Sequence, residues 1–122
     1  TGQSMEPTLT EGQIVFFLRF PMDYQRGDVV MAQMPSGKYY VKRIAALPGD
    51  VVELEGGTLF INGEPLPQDQ GQIQPEEGIV AYPYRVEEGK YFVLGDNSAH
   101  STDSRSFGAL PRSCIRGRLL FC

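Results

Sequence analysis

Val51-Val52-Glu53-Leu54, Gly56-Gly57, Leu59-Phe60-Ile61 and Asn62-Gly63 follow one another along residues 51–63. The two apolar runs have the length and the β-branched or aromatic content of strands. Asn62-Gly63 suits a tight hairpin turn, because both residues tolerate positive φ, and Gly56-Gly57 makes the turn before it. The same grammar extends outward. Short apolar bursts at residues 14–18, 28–32, 39–45, 79–82, 91–94 and 115–121 sit between glycine and proline breakers, and no stretch carries helical periodicity. Gly27-Asp28-Val29-Val30 recurs as Gly49-Asp50-Val51-Val52, and Glu76-Glu77-Gly78 resembles Glu87-Glu88-Gly89, each placing a turn before a strand. No longer period accompanies them, so they are shared turn chemistry and not an internal repeat. The expectation is an all-β domain, curled or barrel-like.

With 122 residues, the chain has the size of one domain, 1–122, able to close a single hydrophobic core. Residues 65–78, rich in Pro, Gln, Gly and Glu, are expected to form a mobile surface loop. A net charge of -4 argues against a nucleic-acid surface, which would be basic. No apolar run approaches the ~20 residues that span a bilayer, and no signal peptide is evident, so the chain as given reads as soluble. One histidine cannot supply a multi-histidine metal site, and two cysteines cannot make a disulfide scaffold. Cys114 and Cys122 flank a strand-like run whose extended rise carries them beyond disulfide reach, so no bridge is expected between them. No metal and no cofactor is expected.

Three segments carry chemistry. In Gly2-Gln3-Ser4-Met5-Glu6-Pro7-Thr8-Leu9, Gly2 permits close backbone approach and Pro7 ends regular structure soon after Ser4. Met5 and Leu9 are candidates to line an apolar cleft; the alternative is an ordinary terminal turn. In Lys38-Tyr39-Tyr40-Val41-Lys42-Arg43-Ile44-Ala45, alternation puts Tyr40, Lys42 and Ile44 on one face and Tyr39, Val41, Arg43 and Ala45 on the other. If that first face meets the core, Lys42 loses hydration and its pKa falls toward that of a usable base. If it is exposed, Lys42 snorkels. The third segment, residues 95–108, is too polar to form a core. It fails as a calcium loop, since Ser101 stands where the sixth-position glycine belongs when counted from Asp96, and no closing Glu follows. It reads as a tight loop bonded to its own backbone and to a neighbouring active group, with Asp103 and Arg105 forming a local ion pair, or as a solvated turn.

Taken together, these segments resemble bacterial type I signal peptidases, membrane-anchored serine proteases that remove signal peptides from exported proteins. The matching stretches are Gly2 through Leu9, Arg26-Gly27-Asp28-Val29-Val30, Tyr40-Val41-Lys42-Arg43-Ile44-Ala45-Ala46-Leu47-Pro48-Gly49-Asp50, and Gly95-Asp96-Asn97 with Ser101-Thr102-Asp103-Ser104-Arg105. They occur in the family's order and, with Ile115-Arg116-Gly117, reach from end to end of the chain. The resemblance implies curled antiparallel sheets in a partly open barrel, with little helix. It implies Ser4 as nucleophile and Lys42 as general base, Ser101 as a hydroxyl orienting the lysine amine, and Asp103 and Arg105 as supports. A neutral lysine beside a serine hydroxyl is a known variant of the catalytic triad and removes the need for a histidine, so His100 has no catalytic assignment.

The resemblance also implies an oxyanion hole built on the Ser4 backbone N–H. Where some members place a serine two residues before the nucleophile, this chain has Gly2, leaving the Gly2 backbone or a water as second donor. Met5, Leu9, Tyr40 and Val41 match positions lining shallow pockets for small residues at the first and third positions before the cleavage site. Alternation sets Val41 opposite Lys42, but a peptide adding along the strand's edge touches both sides. Arg26-Gly27-Asp28 spells an adhesion tripeptide yet falls at a turn entering a strand, and the structural role is preferred.

Family members precede the serine with transmembrane helix and a substrate-binding strand. The sequence holds neither, so the expectation is a truncated catalytic domain, poorly active alone. Its full-length parent would be anchored in the cytoplasmic membrane lipid with this domain on the outer face. Its partners would be the signal peptides of exported preproteins, with no nucleic acid. The alternatives are a related Ser–Lys processing peptidase with one dedicated substrate, or a non-catalytic peptide-binding scaffold of the same fold.

Overall fold

A computed structural model describes residues 16–18, 23–66, 80–95 and 103–121. The strands are β1 (Phe16–Leu18), β2 (Val29–Gln33), β3 (Tyr39–Ala46), β4 (Val51–Glu55), β5 (Thr58–Ile61), β6 (Glu64–Pro65), β7 (Tyr84–Arg85), β8 (Lys90–Leu94), β9 (Leu110–Pro111) and β10 (Ile115–Phe121). One helical turn, α1 (Ser104–Phe107), and a 3-10 turn at Arg112–Cys114 are the helical elements among the described residues. Six strands form one sheet in the order β1-β10-β2-β3-β8-β9, and four form a second in the order β6-β5-β4-β7. Every pairing is antiparallel. The all-β expectation with little helix holds, as two curled sheets that do not close into a barrel.

The small sheet is an excursion of the chain between β3 and β8. Its hairpins follow the turn residues read from sequence. Glu55 pairs with Thr58 across Gly56-Gly57, and Ile61 pairs with Glu64 across Asn62-Gly63. Asn62 has φ 52° and Gly63 φ 84°, the left-handed pair a two-residue hairpin loop requires. Pro65, the first residue of the expected mobile loop, pairs with Phe60, and Leu66 N–H donates to Leu59 O; residues 67–79 lie outside the described residues.

The strand expected at residues 79–82 is corrected by the structure over its described residues, 80–82. Val80 is buried but unpaired, and pairing begins at Tyr84, which faces Val52 across β4. Pro83 lacks the N–H that a ladder needs, so the apolar run before it serves the core and the two residues after it serve the sheet.

β3 belongs to both of the larger apolar clusters. Ile44 packs with Val30, Val93 and Ile115, while Ala45 and Ala46 pack with Val52, Leu59 and Phe92. A bulge produces the switch: Ile44 faces Val93 and Ala46 faces Phe92, leaving Ala45 as one extra residue on β3.

Asp50 ties the two sheets together where β3 leads into β4. Its Oδ2 accepts from Leu47 N–H at 2.8 Å and Arg26 Nε at 3.0 Å, and its Oδ1 accepts from Asn62 Nδ2 at 3.0 Å. Arg26 comes from the turn before β2, and Asn62 from the β5–β6 hairpin. Asp28 Oδ2 accepts from Gln25 N–H, so the Arg-Gly-Asp tripeptide is engaged in turn structure, as preferred from sequence. Burial alone would raise the Asp50 pKa, but these hydrogen bonds and the Arg26 charge outweigh it and hold the carboxyl below its usual value. The stabilisation is therefore complete above the unfolded-state carboxyl pKa and disappears as pH falls through the depressed folded value. Asp50→Asn is expected to cost about 1–3 kcal/mol at neutral pH. Urea melts at a series of pH values check it: the gap between the two proteins narrows as the medium becomes acid.

Candidate active site

Lys42 stands in the middle of β3, opposite Val30 of β2, and its side chain is among the largest fully buried in the described structure, at 1% exposure. The core-directed reading of its face therefore holds and the snorkelling one does not. Val41, on the opposite face, packs with Val29 and Leu119, as alternation requires. The Lys42 Nζ lies 5.5 Å from the centroid of the half-buried Tyr40 ring. Burial is the main influence on the amine and lowers its pKa; the Asp103 charge raises it and the Arg105 charge lowers it further. The net shift is downward, toward the neutral amine that base catalysis needs.

Asp103 and Arg105 reach Lys42 because of how α1 seats on β8. β9 pairs with β8 only at Lys90 and Tyr91. Further along, the amides of Val93 and Gly95, two residues apart and on one side of the strand, take side-chain acceptors. Ser104 Oγ accepts from Val93 N–H at 2.9 Å, and Asp103 Oδ2 accepts from Gly95 N–H at 3.1 Å. Two side chains thus replace a neighbouring strand along that edge. β8 in turn pairs with β3, matching Leu94 with Arg43. The first turn of α1 is thereby brought beside Lys42.

Within that turn, Asp103 caps the helix, its Oδ1 accepting from the Arg105 backbone N–H at 3.1 Å. The Arg105 guanidinium closes a fork onto the same carboxylate, Nε to Oδ1 at 2.8 Å and Nη2 to Oδ2 at 3.1 Å. Asp103 and Ser104 are 0% exposed and Arg105 5%. The ion pair expected from sequence is present. At residues 103–105 the expectation that this segment stays out of the interior is corrected: these polar groups are buried because they satisfy one another and the β8 amides. Ser104 drew no separate attention in the sequence, since a serine between two charged residues resembles any polar turn.

Of the other candidates, Gly2, Ser4, Met5, Leu9 and Ser101 lie outside the described residues. Cys114 is a free, partly buried thiol, and Cys122 also lies outside. Among the described residues no group of His, Cys, Asp and Glu could hold a metal ion, and no helix is long and apolar enough to cross a membrane.

The sequence profile of the family described as "Signal peptidase, peptidase S26" matches residues 1–122. The chain belongs to that family. Among similar proteins, "Signal peptidase I" of Bacillus licheniformis is 36% identical over 98% of this chain and 72% of its own length. "Probable signal peptidase I-1" of Synechocystis is 33% identical over 98% of this chain and 66% of its own length. The crystal structure of a signal peptidase I from Enterococcus faecalis superimposes with a TM-score of 0.65 at 33% identity, covering 80% of this chain and 97% of that one. This signal peptidase family member is accordingly an enzyme, a serine peptidase of the type I class, and shares the antiparallel fold of that structure.

Proposed function

We propose that the protein cleaves N-terminal signal peptides from exported preproteins, with Ser4 as nucleophile and Lys42 as general base. The observation that carries the reading is a lysine fully buried in a sheet, its pKa lowered chiefly by that burial. Family membership supports the substrate class.

In this reading the Ser4 Oγ attacks the carbonyl carbon of the scissile bond as its proton passes to the neutral Lys42 Nζ. Charge developing on the carbonyl oxygen is held by the Ser4 backbone N–H, with the Gly2 backbone or a water as second donor. The carbon–nitrogen bond then breaks, and Lys42 gives its proton to the departing amine. Water attacks the resulting ester as Lys42 again takes a proton; the ester carbon–oxygen bond then breaks, Lys42 returns that proton to the Ser4 Oγ, and the acid product leaves. Ser101 orients the amine, and Asp103 with Arg105 holds the wall of the site.

The substrate would lie extended along β3. β8 pairs with β3 only from Arg43 to Ala46, and among the described residues Tyr39–Val41 have β2 alone as strand partner. That leaves an edge suited to strand addition immediately before Lys42. Met5, Leu9, Tyr40 and Val41 would shape the pockets for small residues, with Tyr40 on the lysine face of the strand and Val41 on the opposite face, both in reach of a peptide added along the edge. The full-length protein would be anchored in the cytoplasmic membrane with this domain on its outer face.

The pH profile of kcat/KM on a signal-peptide-bearing preprotein tests the reading. Activity requires neutral Lys42, so it rises with pH through the lysine pKa, and burial of the amine places that rise below the ordinary lysine range of about 10.4. Product sequencing should show a single cut following small residues at the first and third positions. A rise confined to the ordinary lysine range, or no cut at such a site, would overturn it.

A further inference from the structure

We propose that Ser104 is a positioning residue for the catalytic lysine, pinning α1 to β8 so that the buried first turn of the helix keeps water away from Lys42. The inference rests on the reading of Lys42 as the base. Ser104 is fully buried and opens α1, and its Oγ accepts a hydrogen bond from the β8 amide of Val93 at 2.9 Å. Its own carbonyl accepts from Gly108 N–H at 2.9 Å, so the residue also closes the single turn at its far end. Gly108 has φ 83°, and a Cβ there would stand 3.4 Å from the Tyr84 hydroxyl, so the chain leaves the turn by a path other residues adopt only with strain.

A one-turn helix has almost no stability of its own, and its place depends on such anchors. Among the described residues the charged groups acting on Lys42 are Asp103 and Arg105, flanking Ser104 on both sides; on β2 the lysine faces the apolar Val30. Loosening Ser104 therefore moves both charges together, and their opposite effects partly cancel. What does not cancel is desolvation, the largest influence on the amine. Water admitted between α1 and β3 favours the charged lysine and raises its pKa.

The test is the pH profile of cleavage by the full-length Ser104→Ala enzyme. The rise of kcat/KM with pH is expected to move upward by about one unit, which cuts the neutral-base fraction near pH 7 about tenfold. The loss should fall on kcat with KM little changed. Ser104→Cys, which keeps the size of the side chain but is a weaker acceptor, should shift the profile by less and covers the case in which the alanine variant does not fold. Leu59→Ala, a cavity in the small sheet's core, supplies a destabilised control whose profile should stay in place. An unshifted profile in both Ser104 variants, or an equal shift in Leu59→Ala, would overturn the proposal. Lys42→Ala run in the same assay separates the two claims, because retained cleavage there defeats the base assignment whatever Ser104 does.

Discussion

Replacing Lys42 with Ala in the full-length enzyme is expected to lower kcat by about 10²–10⁴-fold, the range for losing a general base, while leaving the fold intact. The fold should survive because the substitution removes a buried amine that burial already disfavours in its charged form. It leaves a cavity against Val30 and the Tyr40 ring, a packing loss that thermal melts will register separately from activity. Ser4→Ala should be at least as damaging, since without the hydroxyl no acyl intermediate forms. Lys42→Arg is an informative third variant. A guanidinium stays protonated at any accessible pH and cannot act as a base, so preserved charge should restore no activity. Initial rates of preprotein cleavage, with circular dichroism to confirm folding, check all three.

The second large effect concerns Asp103. Its carboxylate accepts from Gly95 N–H, from the Arg105 backbone and from two guanidinium nitrogens, all in the interior. Asp103→Ala leaves a buried cation and two amides without that acceptor, and is expected to cost about 3–5 kcal/mol of stability. Removing Arg105 as well should restore part of this loss, so the double variant will be more stable than the sum of the single losses predicts. Urea denaturation of the three variants checks the sign. Simple additivity would mean that the fork contributes no coupling.

The lysine environment adds a signed consequence. Asp103 raises the Lys42 pKa and Arg105 lowers it, so a folded Asp103→Asn enzyme should show its activity rise at lower pH than the parent. The same substitution would be expected to leave the rise in place if these charges did not act on the lysine.

Much of this architecture was legible because local chemistry and tertiary need agree. Asn62-Gly63 asks for a two-residue turn wherever it occurs, and the register between Ile61 and Glu64 supplies one. Alternation along residues 39–45 placed Lys42 beside Ile44 and away from Val41, because both neighbouring strands continue the pleat. The two-residue strands β6, β7 and β9 were not legible, since two residues carry no period. At residues 79–82 composition misled, because Pro83 moves the pairing two positions on without changing the apolar run before it.

Polar burial was the least legible feature. Asp50 has the composition of an ordinary turn residue, and only the approach of Arg26 and Asn62 from distant turns makes it a junction. Ser104 likewise looks like loop polarity until the Val93 amide is found against it. Lys42 occupies a middle position. Its face could be assigned from alternation, but the choice between core and solvent required the sheets on either side and the helical turn beyond β8.

The central claim is that Ser4 and Lys42 work as one unit, and a double-mutant cycle on cleavage tests it most directly. Groups that act only together lose nothing more once the first is gone. The full-length Ser4→Ala, Lys42→Ala and doubly substituted enzymes are therefore expected to share one residual rate. A double variant slower than either single one by the product of their separate losses would show two independent contributions and contradict the dyad.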